Sequence, residues 1–135
     1  MLSYIYWWQN VKVTMNTFVF HISMDEVHQS ILRHNLVALC NELDVNLIIN
    51  NLIQEDVLTF QEWDVIQLKP LKTERARDLV TLLVRKQTSV FDSFMRSLKG
   101  PHKHLYELLL AGMKAKGLPT DHLEGKLLYD HNAEH

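Results

Sequence analysis

Apolar residues recur at spacings of three and four from residue 23 to residue 116, which is the spacing of amphipathic helices. Leu32, Leu36, Leu39 and Leu43 form the first such stripe, and five more follow it. The residues expected to cap or open helices are Ser23, Asp44, Thr59, Thr73 and Ser89. The side chains expected on the buried faces of the later helices are Val45, Ile48, Ile49, Leu52, Ile53, Trp63, Ile66, Ala76, Leu79, Val80, Leu83, Phe91, Phe94, Met95, Leu98, Leu105, Leu108, Leu109 and Met113. The pattern predicts an all-α bundle of six short helices.

The two ends of the chain differ from this periodic region. Residues 1–22 are apolar and aromatic, and we expect them to be an extension outside the folded unit, although the alternation from Val11 to Asn16 also fits a strand or an apolar tail. They lack the basic region and the small-residue cleavage site of a secretory signal. Gly117-Leu118-Pro119 ends the periodicity, and residues 117–135 are expected to be a polar acidic tail with room for one short helix from Asp121. The sequence thus predicts one bundle over residues 23–116.

Composition is that of one soluble globular domain. The chain has 135 residues, of which 47% are hydrophobic and 22% charged. Cys40 is the single cysteine, so no internal disulfide can form, and we expect a cytoplasmic location. No run of about 18 uncharged apolar residues exists, so no membrane span is expected.

Charge is divided unevenly between the two halves of the periodic region. The net charge of the chain is only −2. Residues 24–68 hold one basic and eight acidic side chains, a net charge of −7, whereas residues 69–116 hold eleven basic and four acidic ones, a net charge of +7. Such a division indicates a domain that meets a complementary surface, which can belong to its own copy. Head-to-tail contacts between unlike surfaces grow into rings or open helices.

No catalytic, cofactor-binding or metal-binding constellation is present in the sequence. Cys40 lies on an apolar helical stripe, where a small buried hydrophobe is expected rather than a nucleophile. The eight histidines are scattered, and His102 and His104 would point to different helix faces. Gly125-Lys126 lacks the other residues of a phosphate-binding loop. We therefore expect no enzyme, no cofactor and no metal site.

Nucleic-acid binding through the basic half, residues 69–116, is the alternative from a different functional class. A helix–turn–helix could be drawn from Trp63 to Lys86. However, Glu74 and Asp78 interrupt the positive charge, and the acidic half would repel a phosphate backbone. We expect neither nucleic acid nor a membrane as the partner.

Five segments of the chain, in order, carry a resemblance to a known family. The segments are 24–43 (MDEVHQSILRHNLVALCNEL), 48–59 (IINNLIQEDVLT), 73–83 (TERARDLVTLL), 90–98 (VFDSFMRSL) and 104–110 (HLYELLL). Residues 24–112 resemble a caspase recruitment domain (CARD) of the death-fold superfamily, closest in look to the CARDs of initiator caspases and apoptosome-type scaffolds. The resemblance implies an antiparallel six-helix Greek-key bundle.

The resemblance also implies a function in protein–protein interaction. The expected partner is another CARD-containing protein, of the caspase or the nucleotide-binding scaffold type, in apoptotic or innate-immune signalling. The chain would act as an adaptor or regulator of caspase activation, and a homo-oligomer or filament is a possible product.

Family members pair an acidic surface on their second and third helices with a basic surface on their first and fourth. The acidic candidates carried over to this chain are Glu55, Asp56, Glu62 and Asp64. The basic candidates are Arg33, Lys72, Arg75 and Arg77, of which Arg77 matches the fourth-helix arginine of the family best. Two positions depart from the family pattern: Leu36 replaces a common arginine and Asn50 a common aspartate. The sequence therefore leaves open which surface this chain uses.

Overall fold

The computed structural model describes residues 23–124, and these residues form eight α-helices and one 3-10 turn with no strand among them. The elements are α1 (Glu26–His34), α2 (Leu36–Glu42), the 3-10 turn (Val45–Leu47), α3 (Ile49–Gln54), α4 (Phe60–Gln67), α5 (Lys72–Leu83), α6 (Ser89–Leu98), α7 (Lys103–Ala115) and α8 (Asp121–Glu124). The predicted all-α class is confirmed. The extension over residues 1–22 and its strand interpretation lie outside the described residues.

The first predicted helix is divided in two at Asn35. The side-chain amide of Asn35 donates a hydrogen bond to the carbonyl of Ile31 at 2.9 Å, and its backbone N–H bonds to the carbonyl of Leu32 at 3.2 Å. These bonds close the last turn of α1, and α2 begins immediately afterwards. Asparagine favours such local side-chain bonds over a continuous helix. The apolar stripe nevertheless continues across the break, because Leu39 and Leu43 are fully buried.

Two of the predicted caps are wrong. The cap of α1 is Asp25 rather than Ser23, because the Asp25 carboxylate accepts the backbone N–H of His28 at 2.9 Å. Ser89 does not cap α6 but is its first residue, and Thr88 precedes it without a side-chain capping bond. The Thr88 hydroxyl instead accepts the backbone N–H of Asp25 at 2.9 Å, which ties the start of α1 to the start of α6.

The predicted cap of the third segment is confirmed, whereas Asp44 caps a 3-10 turn and not the predicted second helix, whose N-cap is Ile48. Thr59 forms a complete capping box with Glu62 at the start of α4. The Asp44 carboxylate accepts the backbone N–H of Asn46 and opens the 3-10 turn, which continues into α3. The next helix, α5, begins at Lys72, one residue before the predicted Thr73.

The core is a continuous cluster to which α1 to α7 all contribute. Helix α2 packs most extensively on α5, α1 on α7, and α6 on both α3 and α7. Every side chain predicted to be buried is buried or half-buried, and Phe94 at the centre of α6 is 0% exposed. Gly112 allows α7 to approach α1 closely, since a Cβ atom there would lie 3.0 Å from Cγ2 of Ile31. Residues of α1 and α2 each line a surface groove with residues of α5.

The packed region continues beyond residue 116. Gly117 adopts a φ of 76°, a conformation that favours glycine at a helix end. Thr120 and Leu123 are buried, and the Leu123 carbonyl accepts a hydrogen bond from Nζ of Lys99 at 3.1 Å. The short helix expected from Asp121 is present and lies against α6. None of the helices within residues 23–124 has the length and apolar character required to cross a membrane.

Candidate functional site

The contact between α2 and α5 forms a shallow groove at the surface. Arg77 projects from α5 on the side that faces α2, one helical turn after Thr73. The groove has a volume of about 380 Å³ and is lined by Leu36, Val37, Cys40, Asn41, Thr73 and Arg77. An arginine beside apolar side chains in a groove can receive a carboxylate while its neighbours exclude water.

Arg77 and Lys72 are exposed, and neither makes an ion pair with any residue between 23 and 124. Their charges are therefore available to a partner. The planar guanidinium of Arg77 can donate two parallel hydrogen bonds to one carboxylate. Of the four predicted basic residues, only Arg33 has an ion-pair partner among the described residues, and Arg75 is instead bound to a backbone carbonyl.

Arg33 belongs to the same surface but is already paired. It lines a second groove between α1 and α5, and Leu36 lines both grooves. Nη2 of Arg33 lies 3.2 Å from Oε1 of Glu26. Both side chains are more than half exposed, so this pair contributes little to stability and can be exchanged for another carboxylate.

Arg75 does not belong to this surface. Its guanidinium donates a hydrogen bond to the backbone carbonyl of Lys69 at 2.7 Å, so it holds the loop between α4 and α5. Arg75 and Arg77 are two residues apart on a helix and therefore point to different sides. We use the term basic surface for Arg33 and Arg77 with the grooves that they line, together with Lys72, an exposed cation at the start of α5 that lines neither groove.

Val37 is a residue of this surface that the sequence reasoning missed. Its side chain is 74% exposed although it is an aliphatic residue in the middle of a packed helix. The signal was present in the spacing, because Val37 falls outside the stripe formed by Leu36, Leu39 and Leu43. Arginine is enriched in protein–protein contacts, and the exposed Val37 in the same groove adds apolar area that a partner can bury.

Glu55 and Asp56 of the predicted acidic surface lie in the turn after α3. Oε1 of Glu55 lies 2.8 Å from Nη2 of Arg96 in α6. The hydrogen bond from Arg96 lowers the pKa of the Glu55 carboxyl, which is thus held ionised by a cation of the same chain. Asp56 is exposed with a φ of 61°, a conformation that aspartate tolerates better than most residues.

Glu62 in α4 is bound even more fully within the chain. Both of its carboxylate oxygens lie 3.0 Å from Nζ of Lys86, and Oε1 also accepts the backbone N–H of Thr59. Burial raises the pKa of the Glu62 carboxyl, but the hydrogen bonds from Thr59 and Lys86 and the charge of Lys86 outweigh it, so the net shift is downward. Glu62 thus has a structural role as cap and ion-pair partner.

Asp64 is the fourth predicted acidic residue. It is exposed and accepts a hydrogen bond from Nε2 of Gln67 at 3.0 Å. Because it is two residues from Glu62 on α4, the two carboxylates point to different sides of that helix. The structure therefore does not gather the four acidic candidates into one open patch.

The basic half that motivated the nucleic-acid alternative is interrupted by ion pairs. Four of its cations each lie close to a carboxylate: Lys69 to Asp78, Lys86 to Glu62, Arg96 to Glu55 and Lys114 to Glu124. A phosphate backbone would compete with these carboxylates. The alternative remains a prediction from the sequence, and these pairs reduce the positive charge that would favour it.

The histidines that are placed in contacts connect elements of the bundle. His28 contacts Asp25, His104 contacts Glu42, and His122 contacts Asp92. Nε2 of His102 accepts the backbone N–H of Asp44 at 3.1 Å. Over residues 23–124 no three potential metal-ligating side chains come together. Cys40 is a half-buried free thiol that lines the groove of Arg77.

The ion pair of Glu62 and Lys86 predicts a loss of stability in acid. The pKa of Glu62 in the folded chain lies below its ordinary value of 4.5, so its contribution is present above that pH and is lost as the pH falls through the folded pKa. We expect the free energy of unfolding, measured in urea from about pH 6 to about pH 3, to fall over this range. Glu62→Gln and Lys86→Gln should each make this fall shallower. If both variants lose stability in acid as steeply as the unmodified chain, the pair of Glu62 and Lys86 does not cause the loss.

Comparison with known proteins agrees with the fold. A family model described as the caspase recruitment domain, CARD, matches residues 29–112, which is more than half of the chain. The chain therefore belongs to the CARD family, whose members are protein-interaction domains with a helical death fold. The predicted family and the predicted Greek-key bundle are confirmed.

A curated relative of the chain is caspase-2 from Gallus gallus. The two are 27% identical over 88 residues, which cover 64% of this chain and 21% of caspase-2. The chain thus spans about one fifth of the length of that relative. The similarity concerns the recruitment domain alone.

Proposed function

We propose that this chain recruits a partner CARD through its basic surface and acts as an adaptor or regulator of caspase activation in apoptotic or innate-immune signalling. The proposed partner is a CARD of the caspase or the nucleotide-binding scaffold type that presents carboxylates. The proposed location is the cytoplasm, where Cys40 stays reduced. The observation that carries this proposal is the exposed Arg77, left without an ion-pair partner within residues 23–124 in a groove that the exposed Val37 also lines. Lys72, at the start of the same helix, is likewise exposed and has no ion pair among the described residues.

The physical steps of recruitment follow from this surface. Unpaired positive charges attract an acidic surface over several ångströms and orient it during the encounter. At contact, Arg77 can bind a carboxylate through two hydrogen bonds while Val37 and Leu36 bury apolar area next to it. An enzyme carried on the partner chain is then held at a raised effective concentration.

Charge reversal at this surface tests the proposal. The variant Lys72→Glu/Arg77→Glu should weaken binding to the partner by at least about tenfold, because like charges would face each other across the contact. Binding is measured in solution by calorimetry with the full chain. The two partners tested are the CARD of caspase-2 from Gallus gallus and the CARD of an apoptosome-type scaffold. Helical content and thermal unfolding should stay unchanged, since both side chains are exposed.

A matched control separates local from general electrostatics. Arg85→Glu/Lys103→Glu makes the same change in net charge at two other exposed cations that have no ion pair among the described residues, and Arg85 lines the groove between α4 and α5 instead. It should leave partner binding within about twofold of the unmodified chain at physiological salt. Arg75 is left unchanged because it holds the Lys69 carbonyl. Equal effects of the control and the basic-surface variant, or no effect of either, would reject the basic surface.

A further inference from the structure

The two charged surfaces of the molecule differ in how much of their charge remains open. On the acidic side, Arg96 lies 2.8 Å from Glu55, and Lys86 lies 3.0 Å from both oxygens of Glu62. On the basic side, only Arg33 has an ion-pair partner among the described residues, and that pair is mostly exposed. The fold therefore neutralises half of one surface and leaves the other largely free.

The neutralising cations come from outside the helices that carry the acidic residues. Arg96 lies in α6, and Lys86 lies in the turn between α5 and α6. They are 41 and 24 residues away in sequence from the carboxylates that they bind. Folding of the bundle, rather than local sequence, brings these charges together.

Of the two acidic pairs, that of Glu62 with Lys86 resists exchange with a partner, whereas that of Glu55 with Arg96 is more exposed. The side chains of Lys86 and Glu62 are only 24% and 28% exposed, and the Glu62 carboxylate is simultaneously the cap of α4. A partner cation would have to displace Lys86 and leave its ammonium partly buried without a counter-charge, which is costly. The pair of Glu55 and Arg96 is further supported by Ser93, whose hydroxyl lies 3.2 Å from Nη2 of Arg96.

We infer that this CARD is one-sided: it offers its basic surface to an acidic partner CARD but does not offer a competent acidic surface to a further subunit. This inference rests on the proposed function. Asp56, in the turn after α3, and Asp64, on α4, are the remaining carboxylates of the acidic set without an ion pair among the described residues, so half of the predicted acidic charge stays open. A head-to-tail assembly needs both unlike surfaces on every subunit. A one-sided subunit ends such an assembly rather than extending it.

This inference is tested by removing the cations that pair with the acidic residues and measuring whether the chain then self-associates. In the full chain, Lys86→Gln/Arg96→Gln removes the internal cations while keeping Glu55 and Glu62. We expect the unmodified chain to stay monomeric in light scattering across a concentration series at low salt. The double variant should self-associate at a concentration at least about tenfold lower, equivalent to about 1.4 kcal/mol, and should dissociate again in high salt.

Two further variants show whether the acidic surface is the cause. Arg85→Gln/Lys103→Gln makes the same change in net charge at exposed cations with no ion pair in the described part of the chain, and it should remain monomeric. Adding Arg77→Glu to the double variant should abolish the new assembly, because each contact needs one basic surface. If the double variant loses helicity, Arg96→Gln alone provides the comparison at a half-exposed residue.

The outcomes separate this inference from the proposed function. Salt-sensitive polymers of the unmodified chain would overturn one-sidedness, even if partner binding depends on Arg77. A folded double variant that stays monomeric, or an assembly shared with the control, would also overturn it. Failure of the unmodified chain to bind either CARD probe would instead reject the proposed function.

Discussion

Replacement of Phe94 by alanine is expected to lower the free energy of unfolding by about 3 to 5 kcal/mol. Phe94 lies at the centre of α6 with 0% exposure, and α6 packs on both α3 and α7. The substitution removes the ring and leaves a cavity that rigid neighbouring helices cannot fill. Because a domain of this size is usually stable by only about 5 to 15 kcal/mol, the loss is a large part of the total. Urea unfolding monitored by circular dichroism measures it.

The matched control for this prediction is Phe60→Ala. Phe60 is the first residue of α4, and its side chain is 70% exposed. We expect its removal to change the free energy of unfolding by less than about 0.5 kcal/mol, as for most surface positions. Equal losses of unfolding free energy in the two variants would contradict the burial of Phe94 in the core.

The helices were predictable from the sequence because burial repeats with the period of the helix. The stripe from Ala76 to Leu83 faces the core as its spacing requires. The cap of α6 was not predictable, because the hydroxyl of the residue before this helix binds a backbone N–H that is distant in sequence. The hydroxyl of Thr88 accepts the N–H of Asp25, 63 residues away, instead of capping its own helix. Local rules for caps hold where no such partner competes, as at Thr59.

The state of each charge could not be read from the sequence for a similar reason. Glu62 and Asp64 are both acidic residues of α4, but only Glu62 meets a lysine when the turn after α5 folds beside it. Arg75 and Arg77 also belong to one helix, but Arg75 is bound to a carbonyl of its own chain. The sequence supplied the charges, whereas the tertiary contacts decide which of them stay open to a partner.

The stability of the bundle depends on the packing of α2 against α5. Leu39 in α2 is 0% exposed, and α2 makes its most extensive packing with α5. We expect Leu39→Ala to lower the free energy of unfolding by about 2 to 5 kcal/mol. Chemical denaturation measures this loss directly, and thermal unfolding should show a drop of roughly 4 to 8 °C for each kcal/mol lost.

Val37→Ala, two residues earlier in the same helix, separates stability from recognition. Val37 is 74% exposed, so its truncation should change the free energy of unfolding by less than about 0.5 kcal/mol. Partner binding should nevertheless weaken, since the groove beside Arg77 loses an apolar wall. Leu39→Ala should affect binding only in the fraction of molecules that unfold, so binding measured well below the melting temperature should be retained. Unchanged binding in Val37→Ala would remove the groove from the contact and leave the exposed charges of Lys72 and Arg77 to carry recognition alone.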